Sequence, residues 1–206
     1  MKKKVKLALI CVLLMGSGFG IFLALDTESG ARAKPAGHDR DLLFEKMGVV
    51  RIEPGKNAVD LRLPDINGLN IGLSDFRGKI VLLNFWATWC PACVAEMPAM
   101  EKLHRGLREK DFAMVTISLQ DSAGQVKDFF KKHKLTFTAL LDTTGEVGAR
   151  FGLRGIPTTI ILDKAGQAIG VVIGPRDWGS RESLDLFNHL ADNDQPASPV
   201  AAAEPG

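Results

Sequence analysis

The chain has 206 residues, of which 46% are hydrophobic and 24% charged, and this suits one compact domain of ordinary size. Its formal net charge is +2, but four of the 26 basic residues are lysines within the first 25 positions, so the remainder carries 22 basic against 24 acidic residues. Without a basic stripe the soluble part lacks the electrostatic footprint of nucleic-acid binding, and we predict no nucleic-acid partner.

The first 25 residues have the pattern of a membrane anchor. Lys2, Lys3, Lys4 and Lys6 precede an uncharged run from Leu7 to Leu25, which as a helix matches the thickness of a bilayer core. The run is longer than the apolar part of a cleavable signal, although Ala31-Arg32-Ala33 has the small-residue pattern of a cleavage site. We predict a single-pass signal-anchor in the inner (cytoplasmic) membrane, with the lysines inside and all that follows on the periplasmic side.

Composition then divides the rest of the chain into three parts. Residues 26–40 are rich in Gly, Ala and charge and are predicted to be a flexible tether. Residues 41–192 form the predicted domain, and the Pro- and Ala-rich residues 193–206 are predicted to be a disordered tail.

Apolar periodicity predicts alternating strands and helices within that domain. A short amphipathic helix over Leu42–Met47 comes first, and the turn 65–68 joins a hairpin that extends the domain on its N-terminal side. The predicted strands are Val59–Leu63, Leu69–Leu73, Ile80–Trp86, Phe112–Leu119, Phe137–Leu141, Thr158–Leu162 and Ala168–Ile173. The later helices are predicted at Pro91 to about Arg108 with a kink at Pro98, at Gly124–His133, around Val147 and Phe151, and at Glu182–Leu190. This order predicts an α/β fold with a mixed central sheet flanked by helices.

Two of the three cysteines lie where the buried strand Ile80–Trp86 runs into a helix. The free N–H groups and the dipole at a helix N-terminus stabilise a thiolate, so Cys90 is predicted to ionise below the usual thiol pKa and to attack disulfides. Cys93, one turn further on and more buried, is predicted to resolve the resulting mixed disulfide. Cys11 lies in the apolar run and is interpreted as a small apolar residue.

A zinc site is the alternative interpretation of a Cys-x-x-Cys pair, and it needs two further ligands at suitable spacing. The sequence has no second such pair, and His38, His104, His133 and His189 are scattered. We therefore predict a redox disulfide at Cys90 and Cys93 and no metal site.

Residues from about Val59 to Leu190 resemble the membrane-anchored bacterial thiol reductases of the TlpA/ResA/CcmG type, which have a thioredoxin fold. Three segments carry the resemblance: Leu73–Lys79, Val81–Trp89 with the cysteines behind it, and Gly155–Thr159. The last is similar to the family's cis-proline loop. The resemblance implies that Pro157 is cis and faces the dithiol, and that Ile156 offers its backbone to an extended substrate in the manner of strand addition.

Asn84 departs from ordinary thioredoxins, which carry a buried aspartate at this strand position. An amide does not take up a proton, so another group is required. Glu96 follows Cys93 by three residues on the same helical face, and the TlpA/ResA group is similar in having an acid there. We predict that Glu96 assists proton transfer; the alternative is a solvated charge that stabilises the first turns of the helix. Trp86 and Trp89 are predicted to shield the site, and Trp89 also to contact a partner.

The resemblance implies an extracytoplasmic thiol–disulfide oxidoreductase that reduces client proteins of the cytochrome c maturation or copper-site assembly type. It needs no organic cofactor, and electrons are expected from a membrane thiol transporter related to DsbD or CcdA. Three alternatives remain: a disulfide-forming oxidase, a Cu(I)-handling binding module, and a peroxidase of the peroxiredoxin type. The peroxidase is disfavoured because the cysteines form a pair rather than a lone peroxidatic residue.

Overall fold

The structure is a computed structural model that describes residues 38–53 and 60–193. The described part contains a six-stranded mixed sheet and a separate two-stranded hairpin. The strands are β1 (Val50–Arg51), β2 (Arg62–Pro64), β3 (Asn70–Gly72), β4 (Ile80–Trp86), β5 (Phe112–Leu119), β6 (Thr138–Asp142), β7 (Thr158–Leu162) and β8 (Ala168–Ile173). The helices are α1 (His38–Met47), α2 (Pro91–Gly106), α3 (Ala123–His133), α4 (Glu146–Arg150) and α5 (Arg181–Asn193).

The large sheet has the strand order β1-β8-β7-β4-β5-β6. β4 lies in its interior, parallel to β5 and antiparallel to β7. All seven residues of β4 are buried, which explains why its sequence is apolar apart from Asn84 rather than alternating. This mixed sheet with helices, a thioredoxin-like α/β fold, confirms the predicted fold class for the described residues.

Successive residues of β4 supply two separate apolar layers, one on each face of the sheet. Ile80, Leu82 and Trp86 join the larger cluster, which also contains Met97 of α2 and Phe187 of α5. Val81, Leu83 and Phe85 join the smaller cluster on the opposite face. Asn84 has the parity of the first set, so its amide lies in the layer beneath α2.

Four strands have the bounds that the sequence predicts, namely β4, β5, β7 and β8. The hairpin is present, with three residues in each strand. β3 is shorter than predicted because a 3₁₀ turn at Leu73–Phe76 follows it, and Val59, the predicted start of the first strand, lies outside the described residues. β1 was not predicted. It consists of two exposed residues that pair antiparallel with β8, and two residues are too few to show a period.

The helices differ from prediction mainly at their ends. α2 continues through Pro98, which lies inside it, and ends at Gly106. α1 begins at His38, so the last three residues of the predicted tether are helical, and α5 extends to Asn193.

Among residues 38–53 and 60–193, no helix is long and apolar enough to cross a bilayer. The predicted anchor at residues 1–25, residues 26–37 of the predicted tether and residues 194–206 of the predicted tail lie outside the described residues.

Candidate active site

The dithiol lies at the start of α2, directly after the loop that follows β4. Cys90 is the N-cap residue and Pro91 occupies the first helical position, where its missing N–H leaves no bond unmade. Cys90 and Cys93 form a disulfide, with their Cα atoms 5.3 Å apart. The backbone N–H of Cys93 donates to Cys90 Sγ at 3.2 Å, so one of the free N–H groups of the helix terminus already points at this sulfur.

The two sulfurs differ in access, as the sequence predicts. Cys90 retains 6% exposure, whereas Cys93 is completely buried in the apolar layer beneath α2. An incoming sulfur therefore reaches Cys90 first.

The loop before β7 faces the dithiol. The Ile156–Pro157 peptide bond is cis, as the resemblance implies. The antiparallel register pairs Phe85 with Thr158, which brings the residues after β4 next to those before β7. The carbonyl oxygen of Ile156 consequently lies 3.8 Å from Cys90 Sγ, within contact distance.

Glu96 is buried beneath the dithiol helix rather than solvated. Only 4% of the residue is exposed, so the alternative of a solvated helix charge is wrong. Asn84 of β4 donates through Nδ2 to Glu96 Oε1 at 3.0 Å, and the same nitrogen donates to Thr159 Oγ1 at 3.0 Å. The strand position that is aspartate in ordinary thioredoxins therefore contacts the acid directly.

The second oxygen of Glu96 accepts from the loop between β8 and α5. Trp178 donates its indole N–H to Oε2 at 3.0 Å, and the backbone N–H of Arg176 donates to the same oxygen at 3.2 Å. Burial nevertheless raises the pKa of Glu96, because the loss of hydration outweighs these hydrogen bonds and the charge of Arg176. An acid with a raised pKa takes up a proton more readily near neutral pH than an exposed glutamate does.

Neither Trp178 nor Arg176 was predicted from the sequence as part of the site. Trp178 stands in a loop of Gly, Pro and charged residues, where a tryptophan indicates burial, but no local pattern connects it with a residue 82 positions earlier. Its ring is fully buried against Phe187 of α5.

Asp121 is a second buried acid that sequence analysis missed, and it holds the loop that carries Trp89. Its carboxylate accepts from Thr88 N at 2.8 Å and Thr88 Oγ1 at 2.6 Å, and also from the hydroxyl of Ser118. The residue is fully buried just after β5. Three donors thus fasten the segment before Cys90 to the neighbouring strand.

The two tryptophans of the motif have different surroundings. Trp86 is fully buried and contacts Phe129 and Phe130 of α3, consistent with the predicted wall. Trp89 is 60% exposed, which favours the predicted contact with a partner over packing into the walls of the site. Its side chain borders a cleft of about 420 Å³ whose other walls include Gln120, Arg154, Gly155 and Ile156.

Comparisons with known proteins agree with this geometry. Residues 54–169, more than half of the chain, match the AhpC/TSA family. The chain is 36% identical over 137 residues to the thiol-disulfide oxidoreductase ResA of Bacillus thuringiensis subsp. konkukian, covering 66% of this chain and 78% of that protein. It is 41% identical over 141 residues to the thioredoxin-like protein YneN of Bacillus subtilis, covering 66% and 82%.

Solved structures give the same result. A thiol:disulfide interchange protein of the thioredoxin family from Chlorobium tepidum superposes with a TM-score of 0.57 at 25% identity, over 67% of this chain and 99% of that one. A secreted thiol-disulfide isomerase from Corynebacterium glutamicum superposes with a TM-score of 0.58 at 28% identity, over 65% and 84%.

Proposed function

Because the chain belongs to the AhpC/TSA family and is a thiol–disulfide oxidoreductase with a thioredoxin-like fold, we propose that it reduces disulfides in client proteins on the extracytoplasmic side of a membrane. The observation that carries the proposal is the asymmetric dithiol: Cys90 at the N-cap of α2 faces the cis-proline loop, and Cys93 is sealed below it. This arrangement admits a client sulfur to one cysteine only.

Cys90 starts the reaction in its thiolate form. The N-terminus of α2 stabilises negative charge there, and the N–H of Cys93 already points at Cys90 Sγ. The thiolate attacks one sulfur of the client disulfide, the client S–S bond breaks, and its second sulfur leaves as a thiolate. A mixed disulfide between Cys90 and the client results.

Cys93 completes the reaction, with Glu96 as the proton acceptor. The carboxylate takes the Cys93 proton, and the Cys93 thiolate attacks Cys90 Sγ. The internal disulfide forms and the client leaves as a second thiolate, so two electrons pass from the dithiol to the client. Asn84 can bond both protonation states of Glu96. Its amide nitrogen donates to the carboxylate, and its Oδ1 has no partner among the described residues. After rotation of the amide, Oδ1 accepts from the protonated acid.

The cis-proline loop positions the client. The carbonyl of Ile156 lies beside Cys90 Sγ, and Pro157 has no N–H, so an extended client strand pairs with the backbone of Ile156 next to the attacking sulfur. Trp89, exposed on the other side of the same cleft, supplies an apolar contact to the client.

The partners follow from the resemblance and from the environment. Outside the cytoplasm dithiols become oxidised, so the oxidised domain needs electrons from a membrane thiol transporter of the DsbD or CcdA type. The proposed clients are apocytochrome c or a copper-site assembly protein. That a structural relative is a secreted thiol-disulfide isomerase supports the extracytoplasmic placement.

The direction of the reaction is tested by the reduction potential of the Cys90–Cys93 couple. The full chain, in detergent, is equilibrated in graded dithiol buffers, and its free thiols are alkylated and counted. A reductase is expected near the roughly −270 mV of thioredoxin, whereas a value near the roughly −120 mV of strong oxidants would show a disulfide-forming enzyme instead.

The order of attack is tested by trapping. A Cys93→Ala variant is expected to accumulate mixed disulfides through Cys90 in intact cells, and mass spectrometry of the trapped partners identifies the client class. A Cys90→Ala variant is the matched control and should trap none, because Cys93 is buried. Equal trapping by both variants would contradict the assigned roles.

A further inference from the structure

The Glu96 carboxylate is held by residues from three parts of the chain. α2 carries the acid, β4 supplies the Asn84 donor to one oxygen, and the loop between β8 and α5 supplies two donors to the other oxygen. Of these donors only the indole of Trp178 belongs to a fully buried aromatic ring, which its packing on Phe187 keeps in place. The Glu96 side chain therefore has little freedom to adopt another orientation.

We propose that Trp178 is a positioning residue for disulfide exchange, whose indole N–H holds Glu96 in the orientation and charge state that receive the Cys93 proton. The proposal rests on the proposed role of Glu96 and extends it to a residue from a distant part of the chain. Trp178 touches neither client nor cysteine in this scheme and acts through Glu96 alone.

Burial of the indole does not by itself explain its hydrogen bond. Trp86 is also fully buried, and its indole N–H has no partner among the described residues. This core accommodates a tryptophan whose N–H has no partner among the described residues, so burial of Trp178 does not by itself require its bond to Glu96.

The indole of Trp178 is an uncharged donor, so it can be replaced without a change in the charges around Glu96. Asn84 and, behind it, Thr159 are uncharged, and Cys93 lies one turn before Glu96 on α2. Arg176 is the cationic side chain that acts on the acid, and its guanidinium instead bonds the carbonyl oxygens of Met47 and Pro175. Loss of the indole N–H thus leaves the net charge of the cluster unchanged while it removes one bond that stabilises the carboxylate.

The affected step is proton transfer during resolution of the mixed disulfide. Cys93–SH and the Glu96 carboxylate become the Cys93 thiolate and the Glu96 acid, and the thiolate then displaces the client sulfur from Cys90. Without the indole bond the carboxylate holds its proton to higher pH and accepts the Cys93 proton less often at neutral pH. The first step, attack by Cys90, does not use Glu96 and should be unchanged.

The test uses the reduced full chain in detergent with Cys11→Ala in every variant, so that two thiols react with 5,5′-dithiobis(2-nitrobenzoate). The first release of thionitrobenzoate reports attack by Cys90, and the second reports resolution by Cys93. For Trp178→Phe we expect a second release roughly two- to tenfold slower at pH 7, with its pH profile moved to higher pH and the first release unchanged.

Companion variants decide between outcomes. Phe187→Leu loosens the same packing and keeps the indole N–H, so its pH profile should match that of the parent. Glu96→Gln should remove the contribution of the acid and leave a pH dependence set by ionisation of Cys93 alone, and Trp178→Phe should have no further effect on the profile in that background. Where Trp178→Phe does not fold, β-(3-benzothienyl)alanine at position 178 keeps the bicyclic ring and lacks the N–H.

The failures are distinguishable. If Glu96→Gln alters the profile and Trp178→Phe does not, the role of Trp178 is overturned and the proposed role of Glu96 stands. If Glu96→Gln itself behaves like the parent, the proposed role of Glu96 fails, and the inference fails with it. A shift in Phe187→Leu equal to that in Trp178→Phe, or a shift that persists with Gln at position 96, would show that Trp178 acts through packing.

Discussion

At the scale of single residues, burial sets the pKa and the hydrogen-bond partners of the polar side chains at this site. Glu96 and Asn84 are polar groups buried beside an apolar layer, and the Asn84 amide donates to the Glu96 carboxylate. Burial of a carboxylate disfavours its charged form, and three hydrogen bonds offset this only in part, so the pKa of Glu96 stays raised. The raised pKa of Glu96 should therefore appear as a pH dependence of the free energy of unfolding.

Replacement of Glu96 by Gln should make the protein gain stability relative to the parent as pH rises. The folded parent holds its proton more tightly than the unfolded chain, so its free energy of unfolding falls relative to the variant as pH rises above the ordinary value of 4.5 through the raised pKa. Below 4.5 the acid is protonated in both states and the difference between parent and variant becomes constant. Urea unfolding of oxidised parent and variant from pH 4 to pH 8 measures it; a difference that does not change with pH would contradict the raised pKa.

Replacement of Trp89 by Ala should weaken client binding and leave stability nearly unchanged. The exposed ring borders the cleft beside Ile156, and loss of an exposed aromatic contact of this kind costs about 1 to 2 kcal/mol, or roughly five- to thirtyfold in KM for a protein disulfide. Steady-state reduction of a protein disulfide measures it. Leu69, similarly exposed at 65% in the β2–β3 hairpin, provides the control, and Leu69→Ala should leave KM as it is.

At the scale of elements, buried carboxylates hold the loop after β4 and helix α2 to neighbouring segments. The loop after β4 is fastened by Asp121 after β5, and the dithiol helix is fastened further along by Glu101. Glu101 accepts from the N–H and the hydroxyl of Thr136, both at 2.8 Å, and joins α2 to the segment between α3 and β6. Buried acids thus fix α2 near both of its ends.

Replacement of Asp121 by Ala should destabilise the protein by about 3 kcal/mol. Three donors, two on Thr88 and one on Ser118, would lose their acceptor inside the fold, and an unsatisfied buried donor costs about 1 to 3 kcal/mol. Urea unfolding measures the change. Asp128 on the exposed side of α3 provides the control, since Asp128→Ala should stay within about 0.5 kcal/mol of the parent. A similar cost at both positions would show that Asp121 does not fasten the loop.

At the scale of the whole molecule, strand order assembles the site. The loop after β4 leads into the cysteines at the start of α2, and the segment before β7, the antiparallel neighbour of β4, supplies the cis-proline loop. The loop after β8 supplies the donors to Glu96 from below. The dithiol therefore lies where three segments distant in sequence meet, and the rest of the domain holds them in register.

The proposed placement of this domain outside the cytoplasm is tested with residues 1–40 alone. Alkaline phosphatase, which is active only outside the cytoplasm, is fused after residue 40 and should be active because the lysine cluster retains the N-terminus inside. Deletion of residues 7–25 from the same fusion is the control and should abolish activity. An inactive intact fusion would contradict the predicted topology.

The sequence alone determined four strands of the large sheet and the reacting atoms. β4, β5, β7 and β8 are marked by apolar runs between turn residues, and the bounds of these strands depend on local patterns. The dithiol at the start of a helix and the cis Pro157 were predicted from neighbouring residues and from the resemblance they carry. Each of these features is encoded within a few positions of the chain.

Only the tertiary structure decided what surrounds those atoms. The burial of Glu96, its bond to Trp178, the loop held by Asp121 and the exposure of Trp89 all depend on which segments the sheet brings together. No periodicity relates residues 82 positions apart, because side-chain periods report which face of one element is buried and not what packs against it. The chemistry of the two cysteines is thus local, whereas the environment that sets the pKa of the acid beneath them comes from long-range packing.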